Sequence, residues 1–382
     1  MDNPDQQLEQ FLQLHPDIEI FEVLLHDLNG TQRGKWLPRE QIDKLFKGGY
    51  KMPQTSCSLD SWGRDLEELV TATGDKDGVC RPHAGTLAPV PWADRPTGQI
   101  IVSMGDFTGE TPYEGDCRVA LENILKRFAK LGLTPVVASE MEFHLFELDR
   151  DQFGAPQHSQ KALDGSPALG GQTYGLDAMR DTAPLMDAIN RAAVIQNLPV
   201  DTLITEFGPS QFVINLDHQD CALRACDQGS MLKRAIRQVA RSHDRVASFM
   251  AKPFADQVGN GMHIHFSLLD EQGNNVFDDG TDQGSDLLRH AVAGCVDTMA
   301  DSMAILAPNI NSFRRMTPGC FAPLSANWGY ENRTTAIRIP GGDHRAMRIE
   351  HRVAGADANP YLAVAAILAG ALSGIERKLS AP

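Results

Sequence analysis

The chain has no C-x-x-C pair, and its seven cysteines are an odd number. That excludes a fully paired disulfide framework and a zinc knuckle, and predicts reduced thiols in a cytoplasmic protein. No apolar run approaches the length of a membrane span, and Met1-Asp2-Asn3-Pro4-Asp5 is the opposite of a signal peptide. A membrane partner is therefore not expected. Positive charge is scarce, with 35 Lys and Arg against 50 Asp and Glu, a formal charge of -15. A polyanion binder needs a basic surface, so nucleic acid is not an expected partner either. Internal repeats and low-complexity tracts are also missing.

What remains is an ordinary soluble composition, 42% hydrophobic and 22% charged over 382 residues. That length suits a large domain plus a smaller one. The scarce positive charge is also uneven. Seven arginines (Arg314, Arg315, Arg333, Arg338, Arg345, Arg348 and Arg352) stand against only Glu331, Asp343 and Glu350 in that stretch. Such an island suits phosphates or carboxylates; a surface of ordinary ion pairs is the alternative.

Periodicity and turn chemistry predict a helix at 5–14, a strand at 18–25, and a hairpin through Asp27-Leu28-Asn29-Gly30 into a strand at 31–37. A short helix over 39–46, mostly loop over 52–97, and a strand at 99–104 complete a small α/β domain. The larger domain opens with a helix capped by Asp116, then the strand Val136–Phe146 and a long loop at 149–176. Helices are expected at about 182–197, through Leu232-Ile236-Val239, at 284–306 and from Pro360 to about Lys378. Strands are expected at 200–206, 210–216, 246–252, 261–269, 325–330, 334–339 and 347–352.

Chemistry-bearing residues recur at strand spacing. Glu140 and Glu142 are two apart, so they share one face of their strand. Two carboxylates side by side among apolar residues call for a cation between them; a solvent-facing edge strand is the other reading. His263 and His265 alternate in the same way, Glu206 closes a strand, and Glu350 lies between Arg348 and Arg352.

Five ordered motifs carry a resemblance. Asp27-Leu28-Asn29-Gly30-Thr31-Gln32-Arg33-Gly34-Lys35, Glu140-Met141-Glu142-Phe143, Gly261-Met262-His263-Ile264-His265, Asn332-Arg333-Thr334-Thr335-Ala336-Ile337-Arg338-Ile339-Pro340, and Arg348-Ile349-Glu350-His351-Arg352 with Ala358-Asn359-Pro360-Tyr361-Leu362 resemble the glutamine synthetase family. The resemblance spans nearly the whole chain and is most similar, within the family, to the γ-glutamylpolyamine (γ-glutamylputrescine) synthetases. It implies an α+β fold: a small N-terminal β-grasp domain, 1–108, and a large catalytic domain, 109–382, with a curved antiparallel sheet and flanking helices. It implies a homo-oligomer of two stacked rings, dodecamer-like, with active sites between subunits. It implies two ions, Mg²⁺ or Mn²⁺, one on Glu140, His263 and Glu350 and the other on Glu142 and Glu206. ATP would meet His265, Ser267, Arg338 and Arg345. Glutamate and the transferred phosphoryl group would meet Gly259, Arg315, Arg333 and Arg352, with Arg315 and Arg333 as the catalytic pair.

The activity implied is an ATP-dependent, ADP-forming ligation of the glutamate γ-carboxylate to an alkyl amine or polyamine through γ-glutamyl phosphate. Ammonia-using glutamine synthesis and a catalytically impaired binding or regulatory protein are the alternatives. Three departures from the family pattern stand out. Val213 occupies the place of a further metal-site Glu, seven residues after Glu206. Phe321 stands where ammonia-using members carry a Glu. The chain ends at Pro382, where the family pattern continues through further C-terminal helices, so those helices are expected to be missing.

Overall fold

A computed structural model describes residues 3–160, 165–168 and 170–382. The chain divides into two compact units, Met1–Asn123 with Val194–Asn197, and Ile124–Ala193 with Leu198–Pro382.

The first unit carries strands β1 (Ile20–His26), β2 (Gln32–Pro38), β3 (Lys51–Pro53), β4 (Asp77–Pro82), β5 (Ala88–Pro89) and β6 (Thr97–Met104). They form a mixed sheet in the order β2-β1-β6-β4-β3, with β5 on β6 and with β1 and β6 parallel. The β1–β2 hairpin forms where the sequence predicts it. Asp27 Oδ1 accepts from the backbone N–H of Asn29 (2.9 Å) and Thr31 (2.8 Å), and Gly30 supplies φ 70. Helix Pro4–Leu14 buries Leu8 and Phe11 against Phe21, Val23 and Ile100.

The stretch 52–97, expected as mostly loop, instead holds β4, β5 and helix Glu67–Thr73. That helix buries none of its residues and ends on Gly74 at φ 69, so it leaves no apolar stripe to read. β4 is fixed by pairing with β6 rather than by its own pattern.

The second unit is built on a sheet in the order β13-β14-β15-β12-β7-β10-β9, with β11 and β8 also on β7. Its strands are β7 (Thr134–Arg150), β8 (Pro156–His158), β9 (Val200–Thr205), β10 (Gln211–Leu216), β11 (Arg245–Ser248), β12 (Met262–Leu269), β13 (Trp328–Tyr330), β14 (Ile337–Ile339) and β15 (Ile349–His351). All pairs are antiparallel except β13–β14. β7 is 17 residues long and is the spine. Its Met141, Phe143 and Leu145 are buried on one face, where Phe143 packs on Phe212 and Phe249 at 6.0 and 5.5 Å between ring centroids.

Helices Ala222–Ser242 and Pro360–Arg377 are joined by a 2.7 Å hydrogen bond from the Tyr361 hydroxyl to Asp227. Asn359 caps the second of these by accepting from the N–H of Tyr361, and Pro360 sits in its first turn. The single helix expected over 284–306 is two, Asp286–Asp297 and Met299–Leu306. They part at Thr298, whose hydroxyl back-bonds to the Gly294 carbonyl at 2.9 Å. The loop expected at 149–176 contains β8, and its residues 161–164 and 169 lie outside the described residues. Among the described residues no helix is long and apolar enough to cross a membrane.

Candidate active site

Strand register assembles the site. His263 on β12 lies opposite Glu140 on β7, Glu350 on β15 opposite His265, and Arg338 on β14 opposite Glu350. On the other flank of β7, Val213 on β10 lies opposite Glu142. Directly opposed residues of an antiparallel pair point to the same face. One face of four adjacent strands, β14, β15, β12 and β7, therefore presents Glu140, Glu142, His263, His265, Arg338 and Glu350, with Ser267 two residues beyond His265. Because β7 is paired on both sides, the edge-strand reading of Glu140 and Glu142 does not hold.

The two histidines take different roles. His263 sits among three carboxylates: Nδ1 is 3.1 Å from Glu140 and 3.6 Å from Glu350, and Nε2 is 3.8 Å from Glu142. His265 Nδ1 accepts from Arg348 Nε at 3.3 Å, which leaves its proton on Nε2 to be donated to Glu140 at 3.0 Å. Ligand atoms of Glu140, His265 and Glu350 all lie within 4.8 Å of one another. His265, which the resemblance places beside the nucleotide, thus joins the first acidic group together with His263. Burial alone would raise the Glu140 carboxyl, but hydrogen bonds from His263 and His265 outweigh it and hold the group well below the ordinary range.

The arginine island divides by depth. Arg315, Arg338 and Arg352 are buried, Arg348 is half-buried, and Arg314, Arg333 and Arg345 are exposed. Arg338 donates to Glu350 at 2.7 Å, and Arg352 pairs with the other oxygen of the same carboxylate. Burial pushes Glu350 up, and His263, Arg352 and His265 bring it down to about 2. The Nε atoms of Arg338 and Arg352 are buried without a partner among the described residues, so both guanidinium groups keep a donor for a bound anion. Arg315 donates to the carbonyls of Val353 (2.9 Å) and Arg352 (3.2 Å). Among the described residues the Arg345 guanidinium pairs with Asp343, at 3.4 Å, and its side chain is 79% exposed.

The second acidic group has the opposite balance. Glu142 accepts from the Gly261 N–H at 2.7 Å and from Gln211 Nε2 at 3.4 Å. Burial first, and then the charges of Glu142 and Glu140, push Glu206 up to about 7, against a backbone hydrogen bond at Phe207 and the charge of Arg333. At Glu206 burial and negative charge outweigh the positive charge of Arg333, which fits an oxygen-liganded divalent cation. Val213 is 3% exposed and adds no lone pair on this face.

The raised carboxyl gives a pH signature. A group whose folded pKa lies above its unfolded value near 4.3 costs stability once it ionises. The cost is absent below about pH 4, grows as pH rises to about 7 and is constant above that. In EDTA at pH 8, Glu206→Gln is therefore expected to be about 2–3 kcal/mol more stable than wild type. The difference should vanish near pH 4, as read by denaturant unfolding.

Glycines shape the floor. A Cβ on Gly259 would collide with the Ala251 carbonyl and reach 3.0 Å from Arg315 Cγ. Gly259→Ala is expected to destabilise by about 1–3 kcal/mol and to displace Arg315, which unfolding curves and loss of turnover together would reveal. Arg348, Gln211 and Gly261 touch the acidic groups, though the sequence assigns none of them a role in the site. Arg348 has a signal, since it is two residues from Glu350 and shares its face. The Gln211 side-chain amide and the Gly261 backbone N–H reach Glu142 through strand placement that no spacing along the chain declares. Beside the second group, the exposed rings of Phe207 and Phe321 meet edge to face at 5.9 Å, with Phe321 at φ 52.

Comparison with known proteins decides the family. Residues 114–382 match "Glutamine synthetase, catalytic domain". The chain belongs to the glutamine synthetase family. It is 41% identical over 376 residues to gamma-glutamylputrescine synthetase PuuA of Escherichia coli K12, covering 98% of this chain and 79% of that protein. It is 30% identical over 380 residues to glutamate–isopropylamine ligase of a Pseudomonas species, covering 97% and 81%. The solved structure "GmaS/ADP complex-Conformation 1" superposes with a TM-score of 0.83 at 28% identity, covering 98% of this chain and 82% of that one. The nine-stranded sheet with its flanking helices is thus the glutamine-synthetase-type fold.

Proposed function

We propose that this glutamine synthetase family member is an ATP-dependent ligase that joins the γ-carboxylate of glutamate to an alkyl amine. One observation carries the reading: a single sheet face holds two carboxylate groups beside three buried arginines, two of which keep an unpartnered Nε. The similarity to two amine-using ligases supports it. A γ-carboxylate oxygen attacks the terminal phosphorus of ATP, ADP leaves, and the amine nitrogen then displaces phosphate from the acyl phosphate. Arg315, Arg338 and Arg352 are assigned to the anionic substrates. They neutralise phosphoryl and carboxylate oxygens in a desolvated site, where fixed charge is most effective. Arg333 and Arg345 are assigned to the same anions from the exposed rim. Ser267, on the His265 face, is assigned to the nucleotide, and Gly259 leaves room for glutamate beside Arg315.

Glu140, His263, His265 and Glu350 would hold one divalent ion, and Glu142 with Glu206 the other. When bound, Mg²⁺ or Mn²⁺ supplies Lewis-acid stabilisation of phosphoryl charge. The protein's own part is to orient these ligands: Arg348 fixes the His265 tautomer, and Gly261 with Gln211 fixes Glu142. The phenyl groups of Phe207 and Phe321 beside Glu206 favour an alkyl amine over ammonium. We assign the chain to a stacked-ring homo-oligomer in the cytoplasm, as its family implies; native mass spectrometry counts the subunits.

The test is phosphate release from the full chain with ATP, Mg²⁺ or Mn²⁺, glutamate and a panel of amines. Alkyl amines are expected to exceed ammonium in kcat/KM; ammonium exceeding every amine would replace the reading with glutamine synthesis. Val213 facing Glu142 favours a second reading, a non-catalytic binding protein, which predicts no phosphate release with any nitrogen donor.

A further inference from the structure

Lys252 is 4% exposed, and lysine is rarely buried without a carboxylate partner. Among the described residues its ammonium reaches no carboxylate. It donates to the Gln257 carbonyl, to the Thr317 hydroxyl at 3.4 Å and to Cys320 Sγ at 3.4 Å. These acceptors take up the three N–H donors of the group. They are ordered among themselves, because the Thr317 hydroxyl donates to Cys320 Sγ at 3.2 Å and so turns its lone pairs to Lys252. The backbone of Lys252 is fixed as well. Its N–H donates to Asn311 Oδ1 and its carbonyl accepts from Asn311 Nδ2, both at 2.8 Å. A methionine of similar length would fill the space without desolvating a charge. The ammonium therefore stands here for the hydrogen bonds it makes.

Two of those bonds hold a turn that holds itself poorly. Thr317 and Cys320 bracket Pro318-Gly319, and Phe321 follows directly. Gly319 has φ 82 and Phe321 φ 52, and the Cys320 N–H meets the Thr317 carbonyl only at 3.3 Å. A phenylalanine at positive φ is strained, so its surroundings must fix it. Phe321 is also 54% exposed, with its ring against Phe207 next to Glu206. The third bond runs to the other side of the site. Gln257 is two residues before Gly259, whose carbonyl accepts from Gln211 at 2.9 Å. One buried ammonium thus ties the loop leading to the Gly259 floor to the turn that carries the Phe321 ring.

We propose that Lys252 is a positioning residue for nitrogen-donor selection, holding the Thr317–Phe321 turn so that the Phe321 ring stays against Phe207 beside Glu206. The proposal rests on the amine-ligase reading above and deepens it. Lys252 acts on the donor through Phe321, since its own donors are engaged by the turn and by Gln257. With the ring in place, the site offers an apolar edge to an alkyl chain. With the turn released that edge is lost, and an alkyl amine keeps less advantage over ammonium.

The test compares the full chain with Lys252→Met and with the double variant Thr317→Val, Cys320→Ala. The double variant removes the acceptors on the turn and leaves Lys252 in place, so it decides the matter if Lys252→Met does not fold. Calorimetry titrates n-butylamine into protein holding Mg²⁺, ADP and glutamate, a mixture without a phosphoryl group to transfer. Separate titrations read glutamate and ADP, and steady-state phosphate release gives kcat/KM for butylamine and for ammonium. Both variants are expected to bind butylamine about tenfold more weakly, the scale of hydrogen bonds from a charged donor. The butylamine-to-ammonium ratio of kcat/KM should fall by the same factor, with glutamate and ADP affinities unchanged. Lost packing alone would weaken the ligands together and leave the ratio between donors where it was. Wild-type butylamine affinity and donor ratio in the double variant would overturn the proposal. So would butylamine and glutamate affinities that fall in step, or a wild type that binds no butylamine. Butylamine binding that depends on Lys252, without product from any amine, would instead refute the ligase reading and leave the role of Lys252 standing.

Discussion

Glu350→Ala is expected to abolish turnover and to lower stability by about 3–5 kcal/mol, the usual consequence of removing one member of a buried charged pair. The carboxylate is 1% exposed and is the common partner of Arg338 and Arg352. Without it Arg352 loses its carboxylate partner, Arg338 keeps only Glu331 at 3.3 Å, and the first acidic group loses a member. The pH dependence has the opposite sign to that of Glu206. Glu350 is held down to about 2, below the unfolded value near 4.3. Its contribution is therefore complete above about pH 4.3 and is lost as pH falls towards 2. Denaturant unfolding of wild type and variant should diverge most at neutral pH and converge in acid. A variant that unfolds like wild type at pH 7 would remove Glu350 from the centre of the arginine cluster.

Val213→Glu should show the largest metal dependence. The position is buried and lies opposite Glu142, with Glu206 nearby already raised by its neighbours. A third carboxylate there has no cation to balance it in EDTA. It should cost about 2–4 kcal/mol at pH 8, the scale of burying an unpaired ionisable group. Mn²⁺ should restore most of that loss, since saturation at a hundred times Kd stabilises by about 2.7 kcal/mol. Thermal melts with and without Mn²⁺ measure it: the metal-induced rise in Tm should be clearly larger in the variant than in wild type. An equal rise in both would mean that Val213 does not face an ion. Phosphate release by the variant alone would assign the natural protein to the binding class.

Much of the site was legible because strand spacing is simple. Glu140 with Glu142, and His263 with His265, declare a shared face at a separation of two. Register is what the spacing lacks. No count along the chain shows that His263 opposes Glu140, that Glu350 opposes both His265 and Arg338, or that Val213 opposes Glu142. The same gap explains the regrouping of His265, whose place beside Glu140 depends on the Arg348 hydrogen bond to its other nitrogen. Elements with an apolar stripe, such as Pro360–Arg377, were readable, whereas Glu67–Thr73, which buries nothing, was not. The arginine island was visible as composition, but which of its members lie inside follows from the strands that carry them.

The central claim is that this face transfers a phosphoryl group to glutamate before nitrogen arrives. Glutamate carrying ¹⁸O in both γ-carboxylate oxygens tests it directly, with ATP, Mg²⁺ and an alkyl amine. Attack by a carboxylate oxygen on phosphorus predicts that each phosphate released carries one ¹⁸O, and that the γ-glutamyl amide retains the other, both read by mass spectrometry. Phosphate released without ¹⁸O while amide forms would contradict the account.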